Sequence, residues 1–251
     1  MKRILTALLA LLIASAALVS TALAEVVTVD LETATYEEIV AACELLKAER
    51  VARLKETFAE THEIQPLDGI TFRGVPWGST RAEAEAILGA PSNTITYICA
   101  GVGSVYTDGR GISTYYAGWT VAGYPVPTAT LGFVYPVLEG KLLRDDSLAV
   151  MCSGMYEIQN IGDVNAVMDD LTTKLSALYG SYTHGSFNTR VWTDANGHSI
   201  TLWPTDTSVY LLYYHADRDA LMNAAVQAIA DERAEQEELL RIQNQNNTDG
   251  L

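Results

Sequence analysis

The sequence predicts an α+β protein in which an antiparallel β-sheet packs on helices. Two segments, at 69–91 and 163–180, carry explicit helix start and stop signals. Each is followed by several short runs of β-branched and aromatic residues. No helix-length period separates the runs within either set, which favours antiparallel pairing. Longer helical patterns precede and follow these two helix-plus-meander units.

The first 24 residues have the pattern of a secretory signal peptide. A basic start at residues 2–3 precedes an almost entirely apolar run at 4–19, and residues 22–24 form an A-x-A cleavage site. The apolar run approaches the roughly 18–20 residues that a spanning helix needs, so an uncleaved membrane anchor is the alternative. We expect cleavage before Glu25 and a secreted or otherwise extracytoplasmic protein without a membrane span after cleavage.

The composition indicates an acidic chain that is not a disulfide scaffold. The formal net charge is −15, and removal of residues 1–24 takes away two of the 16 basic residues and none of the 31 acidic ones, which gives −17. Such a surface repels nucleic acid and anionic lipid, so neither is an expected partner. Cys99 and Cys152 lie in predicted strands and are the preferred disulfide pair; three buried thiols, Cys43 included, are the alternative.

A helix is predicted from Thr35 to about Glu60. Thr35 and Glu38 have the spacing of a capping box, in which the two residues satisfy each other's backbone N–H groups. A linker at 62–68 joins this helix to the central domain. The helix carries an apolar stripe at helical spacing, formed by Ile39, Cys43, Leu46, Leu54 and Phe58.

The first unit opens with a short strand, a tight turn and a capped helix. Its signals are a Pro-Trp-Gly turn, a Thr/Glu capping box and a glycine stop followed by proline. We expect the tryptophan of the turn to pack beneath it. In chain order these features are the strand at 70–73, Pro76-Trp77-Gly78, Thr80 with Glu83, Gly89 and Pro91.

The other strands are predicted from runs rich in Ile, Val, Thr and Tyr, bounded by turn residues. Four belong to the first unit and three to the second. The Asn-Gly pair in the turn at 194–197 is a strong hairpin signal. The strands are predicted at 94–99, 112–121, 129–135 and 148–156, and at 188–193, 198–203 and 208–215.

Two more helices complete the order of elements. Asp163 caps a helix with a one-sided apolar face, which Gly180 ends. Asp217 or Asp219 starts the last helix, and a disordered tail is predicted from Asn244. The predicted organisation is a signal peptide at 1–24, an N-terminal helix and linker at 25–68, an α+β domain of two units at 69–160 and 161–215, and a C-terminal helix with the tail at 216–251.

Two sets of residues carry a resemblance to known exported domains. They are Phe72, Val75, Gly78, Glu83, Leu88-Gly89 and Pro91 in the first unit, and Leu178-Tyr179-Gly180, Trp192, Ile200-Thr201-Leu202 and Val209-Tyr210-Leu211 in the second. The first set resembles the helix opening of small exported domains of the outer-membrane-assembly lipoprotein and β-lactamase-inhibitory-protein type. The second is similar to one half of secreted proteins common in Gram-positive anaerobes. The resemblance implies a binding or scaffolding domain without an assigned catalytic site.

The sequence offers little support for enzymatic chemistry. Its histidines lack metal-ligand spacing, although two of them, His184 and His198, could approach one another across the second meander. There is no G-x-S-x-G nucleophile elbow. We therefore predict no catalytic residue, no metal and no cofactor. The alternative is a secreted hydrolase whose acids come from separate loops, such as Asp108, Asp145 and Asp146.

Aromatic residues in the two meanders are the candidate binding residues. An exposed aromatic sheet face contacts proteins or glycans, whereas rings covered by helices belong to an ordinary core, which is the alternative. Adjacent strand residues point to opposite faces, so one of Tyr213 and Tyr214 can be exposed. The candidates are Trp119, Tyr115, Trp203, Tyr210 and Tyr214.

The resulting expectation is a non-enzymatic binding or scaffolding protein of the cell envelope or the extracellular space. Its expected partner is a protein or a cell-wall glycan. A structural role in the envelope, through pairing of the charged terminal helices with another chain, is a further alternative.

Overall fold

The computed structural model describes residues 35–95, 110–159 and 162–248. The predicted signal peptide, Cys99 and Asp108 lie outside these ranges. Within them the chain is an α+β protein, which confirms the predicted fold class. The described helices are α1 (Tyr36–Thr61), α2 (Arg81–Leu88), α3 (Val164–Tyr179) and α4 (Arg218–Thr248).

Eight described strands form one antiparallel sheet, and two more form a small separate hairpin. The large sheet consists of β1 (Asn93–Ile95), β2 (Gly111–Val121), β3 (Tyr124–Val134), β6 (Val150–Gln159), β7 (Thr183–His184), β8 (Arg190–Thr193), β9 (Ser199–Pro204) and β10 (Ser208–Tyr214). The small hairpin pairs β4 (Val137–Leu138) with β5 (Lys141–Leu142). The chain turns between β4 and β5 at Glu139 and Gly140, both with positive φ, which is the backbone that a two-residue hairpin favours.

The strand order places the two predicted meanders side by side. Across the sheet the order is β1-β2-β3-β6-β10-β9-β8-β7. Each meander thus begins at an outer edge and ends in the middle, where β6 pairs with β10 in an antiparallel ladder. The two halves share one continuous sheet, with the last strand of each half at the centre.

The described chain divides into two compact units within helix α1, the first ending at Val51 and the second beginning at Ala52. In the first unit the predicted capping box is formed, because Glu38 Oε2 accepts a hydrogen bond from the Thr35 backbone N–H at 2.7 Å. Cys43 and Leu46 of the predicted apolar stripe are exposed here. The stripe therefore describes a buried face only in the second half of the helix.

The C-terminal half of α1 is packed within the second unit. Leu54 and Phe58 are buried against Leu143, and Lys55 Nζ lies 2.6 Å from Asp145 Oδ2. The apolar contacts remove this face from water, and the ion pair fixes its position beside the loop that follows β5.

The prediction of a strand at 70–73 is wrong. Phe72 forms an isolated bridge with Val75 across a turn, where Arg73 and Gly74 have φ of 52° and 74°. The chain reverses direction at this turn before a ladder of paired strand residues can form. The alternating apolar residues pack in the hydrophobic core instead. Trp77 is 1% exposed, as predicted, and its Nε1–H donates to the Ile70 carbonyl at 2.6 Å.

The predicted helix signals of the two units are formed. Glu83 N–H donates to Thr80 Oγ1 while Glu83 Oε2 accepts from the Thr80 backbone, so the capping box of α2 is complete. Asp163 caps α3 by accepting from two backbone N–H groups, and Gly180 with φ 81° ends it. Helix α3 covers the second half of the sheet, where Trp192 is fully buried and donates to the Gly180 carbonyl at 3.2 Å.

Helix α4 is longer than predicted. It continues to Thr248, so the disordered tail predicted from Asn244 is wrong for residues 244–248. Glu, Gln, Leu and Arg dominate the preceding stretch at 232–243, and these residues are good helix formers. Near its middle, Glu232 receives two hydrogen bonds from Arg144. Across the described ranges, each helix falls short of the apolar length that a bilayer crossing requires.

Candidate functional site

Strand register places four of the five candidate aromatic residues on one face of the sheet. Tyr115 is joined to Leu212 through the cross-strand partners Thr130 and Met155. Tyr210 and Tyr214, two positions before and after Leu212 in β10, point to the same face as Leu212. Trp203 is the cross-strand partner of Tyr210 in β9 and therefore lies on this face too. We call Tyr115, Trp203, Tyr210 and Tyr214 the aromatic face.

The aromatic face is wide and partly accessible. Four strand spacings separate β2 from β9, which places these two strands about 19 Å apart. Each of the four rings is half-buried, so each retains some surface for contact.

Trp203, Tyr210 and Glu157 form a connected group on the aromatic face. The rings of Trp203 and Tyr210 lie 5.9 Å apart, and the Tyr210 hydroxyl donates to Glu157 Oε1 at 2.6 Å. Burial, together with this hydrogen bond and the carboxylate charge, raises the pKa of Tyr210 to about 12. The ring is thus neutral at physiological pH and held in one orientation.

Tyr214 belongs to the aromatic face, and its neighbour Tyr213 belongs to the opposite face. Tyr214 is half-buried, with the Arg218 guanidinium 4.8 Å from its ring centroid in a cation–π contact. Tyr213 is 7% exposed and packs edge-on against Phe72 at 5.3 Å. The alternation of adjacent strand residues thus separates one half-buried ring from one core ring.

Trp119 is not part of the aromatic face. The Trp119 ring stacks on Tyr116 at 4.7 Å and lies 6.5 Å from Phe72. Phe72 packs on the sheet face opposite to the aromatic face, so Trp119 lies on that opposite face as well. Arg73 covers it, with Cζ 4.3 Å from the ring centroid. Gly118, with φ 73°, breaks the alternation of β2 just before this residue, which places Trp119 on the same face as Tyr116.

Two histidines meet in the core, and they are not the two considered from the sequence. His198 and His215 have ring centroids 5.1 Å apart, whereas His184 contacts Tyr182. The Ala216 backbone N–H donates to His198 Nδ1 at 3.0 Å, and the Asp217 N–H donates to His215 Nδ1 at 2.9 Å. Both Nδ1 atoms are therefore acceptors and carry no proton.

This histidine pair is structural. Its Nδ1 atoms are already occupied, and the Gln65 amide lies 3.1 Å from His215 Nε2. Burial lowers the pKa of His198 against the opposing charges of Asp194 and Asp217. Burial and the neighbouring His198 likewise lower the pKa of His215. In the part of the chain that the structure describes, no cluster of three metal-ligating side chains occurs.

The acids considered for a hydrolase are held in structural contacts where they are described. Asp145 caps a short 3-10 helix at Asp146–Leu148 and pairs with Lys55; hydrogen bonds from Lys55 and Ser147 lower its pKa to about 2. Asp146 accepts from the Tyr135 hydroxyl at 2.5 Å. Asp108 lies outside the described residues, so its position relative to these acids stays untested.

The preferred disulfide also stays a prediction. Cys152 is fully buried in β6, and its Sγ lies 3.4 Å from the Gly132 carbonyl oxygen. Burial raises the pKa of this thiol to about 11, which makes it a poor nucleophile. Cys99 lies outside the described residues, and Cys43 is exposed on α1.

Comparison with protein-family models, with curated proteins and with solved structures finds no match. The resemblance to exported helix-plus-meander domains therefore stays a prediction, and the candidate site depends on its geometry alone. The candidate residues were found in the sequence from their type and from strand alternation. Their grouping was missed, because it depends on the pairing of β6 with β10, two strands about 50 residues apart.

Proposed function

We propose that this protein is an exported, non-enzymatic binding protein that contacts a protein or a cell-wall glycan through the aromatic face. The observation that carries the proposal is the position of Tyr115, Trp203, Tyr210 and Tyr214 on one sheet face, each of them half-buried. Tyr and Trp provide large contact areas with little loss of side-chain entropy, and they dominate the energetics of many interfaces.

The rigidity of the aromatic face supports this proposal. Its central strands β6 and β10 are paired on both sides, and Tyr210 is anchored by Glu157. A surface that is already ordered loses little conformational entropy when it binds, which favours affinity. The threonines beside the rings, such as Thr128 and Thr201, add hydroxyl groups that can hydrogen-bond to a polar partner.

The proposed location follows from the N-terminal sequence. A basic start, an apolar run and an A-x-A site at residues 22–24 fit export and cleavage before Glu25. The acidic charge of the remaining chain disfavours nucleic acid and anionic lipid as partners. We place the protein in the cell envelope or outside the cell.

A crosslinked pull-down from the envelope and the medium of the native organism tests the proposal. The bait is the chain from Glu25 to Leu251, compared with the same chain carrying Trp203→Ala. We expect the wild-type chain to retain a protein, or muropeptides from the cell wall, and the variant to retain at least tenfold less. Loss of a central interface tryptophan commonly costs about 2 kcal/mol or more, which corresponds to a factor of about 30 or more in affinity.

The matched control is Phe187→Ala. Phe187 is an aromatic residue with 86% exposure, and it lies in the loop between β7 and β8 rather than on the aromatic face. This variant should capture the partner as well as the wild type does. Equal capture by wild type and Trp203→Ala would exclude the aromatic face as the contact surface.

A further inference from the structure

A cavity of about 190 Å³ lies between α3, the β2–β3 turn and strand β10. Leu171, Leu175 and Leu211 form much of its apolar wall, and Leu178 stands at its edge with 74% exposure. Apolar cavities of about 150 Å³ hold a benzene ring, so this one has room for a single ring with a small substituent. It lies on the sheet face opposite to the aromatic face.

Tyr213 contributes a polar group to the cavity wall. The Tyr213 side chain is only 7% exposed, but within the described ranges its hydroxyl is not one of the sealed polar atoms that lack a hydrogen-bond partner. Burial, with Tyr156 and Tyr179 nearby, raises the pKa of Tyr213, so the hydroxyl stays protonated. A ligand oxygen that accepts a hydrogen bond from this hydroxyl gains a net favourable interaction beyond the apolar contacts of the wall.

The charges at the cavity rim neutralise each other. Lys174 Nζ donates to Asp170 Oδ2 at 2.7 Å and to the Ala122 carbonyl at 2.8 Å. Asp170 also accepts from the Tyr124 hydroxyl at 2.8 Å. Because the ammonium already has a carboxylate partner, the rim offers no free charge to an ionic ligand, and burial of an ion in the apolar wall would be unfavourable.

We infer that this cavity binds an uncharged, single-ring small molecule that carries one hydrogen-bonding substituent, with phenol as the simplest example. The leucine wall takes the ring, and the Tyr213 hydroxyl hydrogen-bonds to the substituent. The inference is independent of the proposed function, because the two sites use opposite faces of the sheet.

Ligand-observed NMR titrations with phenol, toluene and benzoate test this inference on the chain from Glu25. We expect saturable binding of phenol, with a dissociation constant about three- to tenfold lower than that of toluene, the range that one net hydrogen bond gives. Benzoate should bind more weakly than phenol, because its carboxylate loses hydration without gaining a free cation. Absence of saturable phenol binding, or tighter binding of benzoate, would overturn the inference.

Two variants locate the site. Tyr213→Phe keeps the ring and removes the hydroxyl, so the preference for phenol over toluene should fall to near one while toluene binding is kept. Leu178→Trp should obstruct the cavity edge and weaken both ligands at least fivefold, whereas Leu239→Trp, at an exposed leucine of α4, should leave binding unchanged. Wild-type phenol preference in Tyr213→Phe, or wild-type affinity in Leu178→Trp, would contradict this site.

Discussion

His198 and His215 show how single residues couple this fold to pH. Each ring accepts a backbone hydrogen bond at Nδ1, so a proton at that atom would face an N–H donor. Burial lowers both pKa values below the ordinary 6.5. The unfolded chain therefore takes up protons at a higher pH than the folded chain does. Stability contributed by the neutral pair is fully present above pH 6.5 and is lost as the pH falls through the folded-state pKa values.

The free energy of unfolding should thus decrease as the pH falls from 7 to 5. Denaturant titrations at several pH values measure this slope. The acids with lowered pKa affect stability only at lower pH. Hydrogen bonds from Lys55 and Ser147 bring the pKa of Asp145 to about 2, so the stability that Asp145 contributes is lost only below pH 3.8. His198→Asn keeps an acceptor for Ala216 and should flatten the slope, whereas His184→Gln at the exposed β7 should keep it. A wild-type slope in His198→Asn would show that the pair is not its source.

Gly154 is a second residue whose identity the packing dictates. A Cβ atom at this position of β6 would lie 2.3 Å from Cδ2 of the buried Phe72 ring. We expect Gly154→Ala to lower the free energy of unfolding by about 1–3 kcal/mol, because the ring must shift within a close-packed core. Gly162→Ala, where a Cβ meets nothing within 4 Å, should change stability by less than about 0.5 kcal/mol. Equal effects in the two variants would contradict this account.

At the scale of elements, short-range signals determine where the helices begin and end. The capping box of α2 joins Thr80 and Glu83 through hydrogen bonds in both directions. Thr80→Ala removes the hydroxyl acceptor and should cost about 0.5–2 kcal/mol in denaturant unfolding. Thr80→Ser retains the acceptor and should stay close to the wild type. A Thr80→Ser variant as unstable as Thr80→Ala would show that the lost methyl group, rather than the cap, matters.

These helix signals were predictable because donor and acceptor are only three residues apart. The turn at Arg73 and Gly74, by contrast, interrupts what the sequence presents as an alternating strand, and β4, β5 and β7 are only two residues long each. Pairs this short lack a periodic pattern of their own. The end of α4 was mispredicted for another reason: its polar composition fits both disorder and an exposed helix.

At the scale of the whole molecule, the fold class follows from the sequence and the sheet order does not. The connections from β2 to β3, from β8 to β9 and from β9 to β10 are short turns, which makes the antiparallel pairing of these strands predictable. The pairing of β6 with β10 joins the halves across the intervening α3 and three strands. That pairing assembles the aromatic face from both halves. Residue type alone therefore identified Tyr115 and Trp203 as candidates and also included Trp119, which lies on the other face.

We propose that the aromatic face contacts a partner in the envelope or the medium. Site-specific incorporation of the photocrosslinker benzoylphenylalanine in place of Tyr210, and separately in place of Phe187, tests it most directly in the native organism. Crosslinked adducts at position 210, lost when Trp203→Ala is added and absent at position 187, are the predicted result. Adducts that form at position 187 but not at position 210 would contradict the claim.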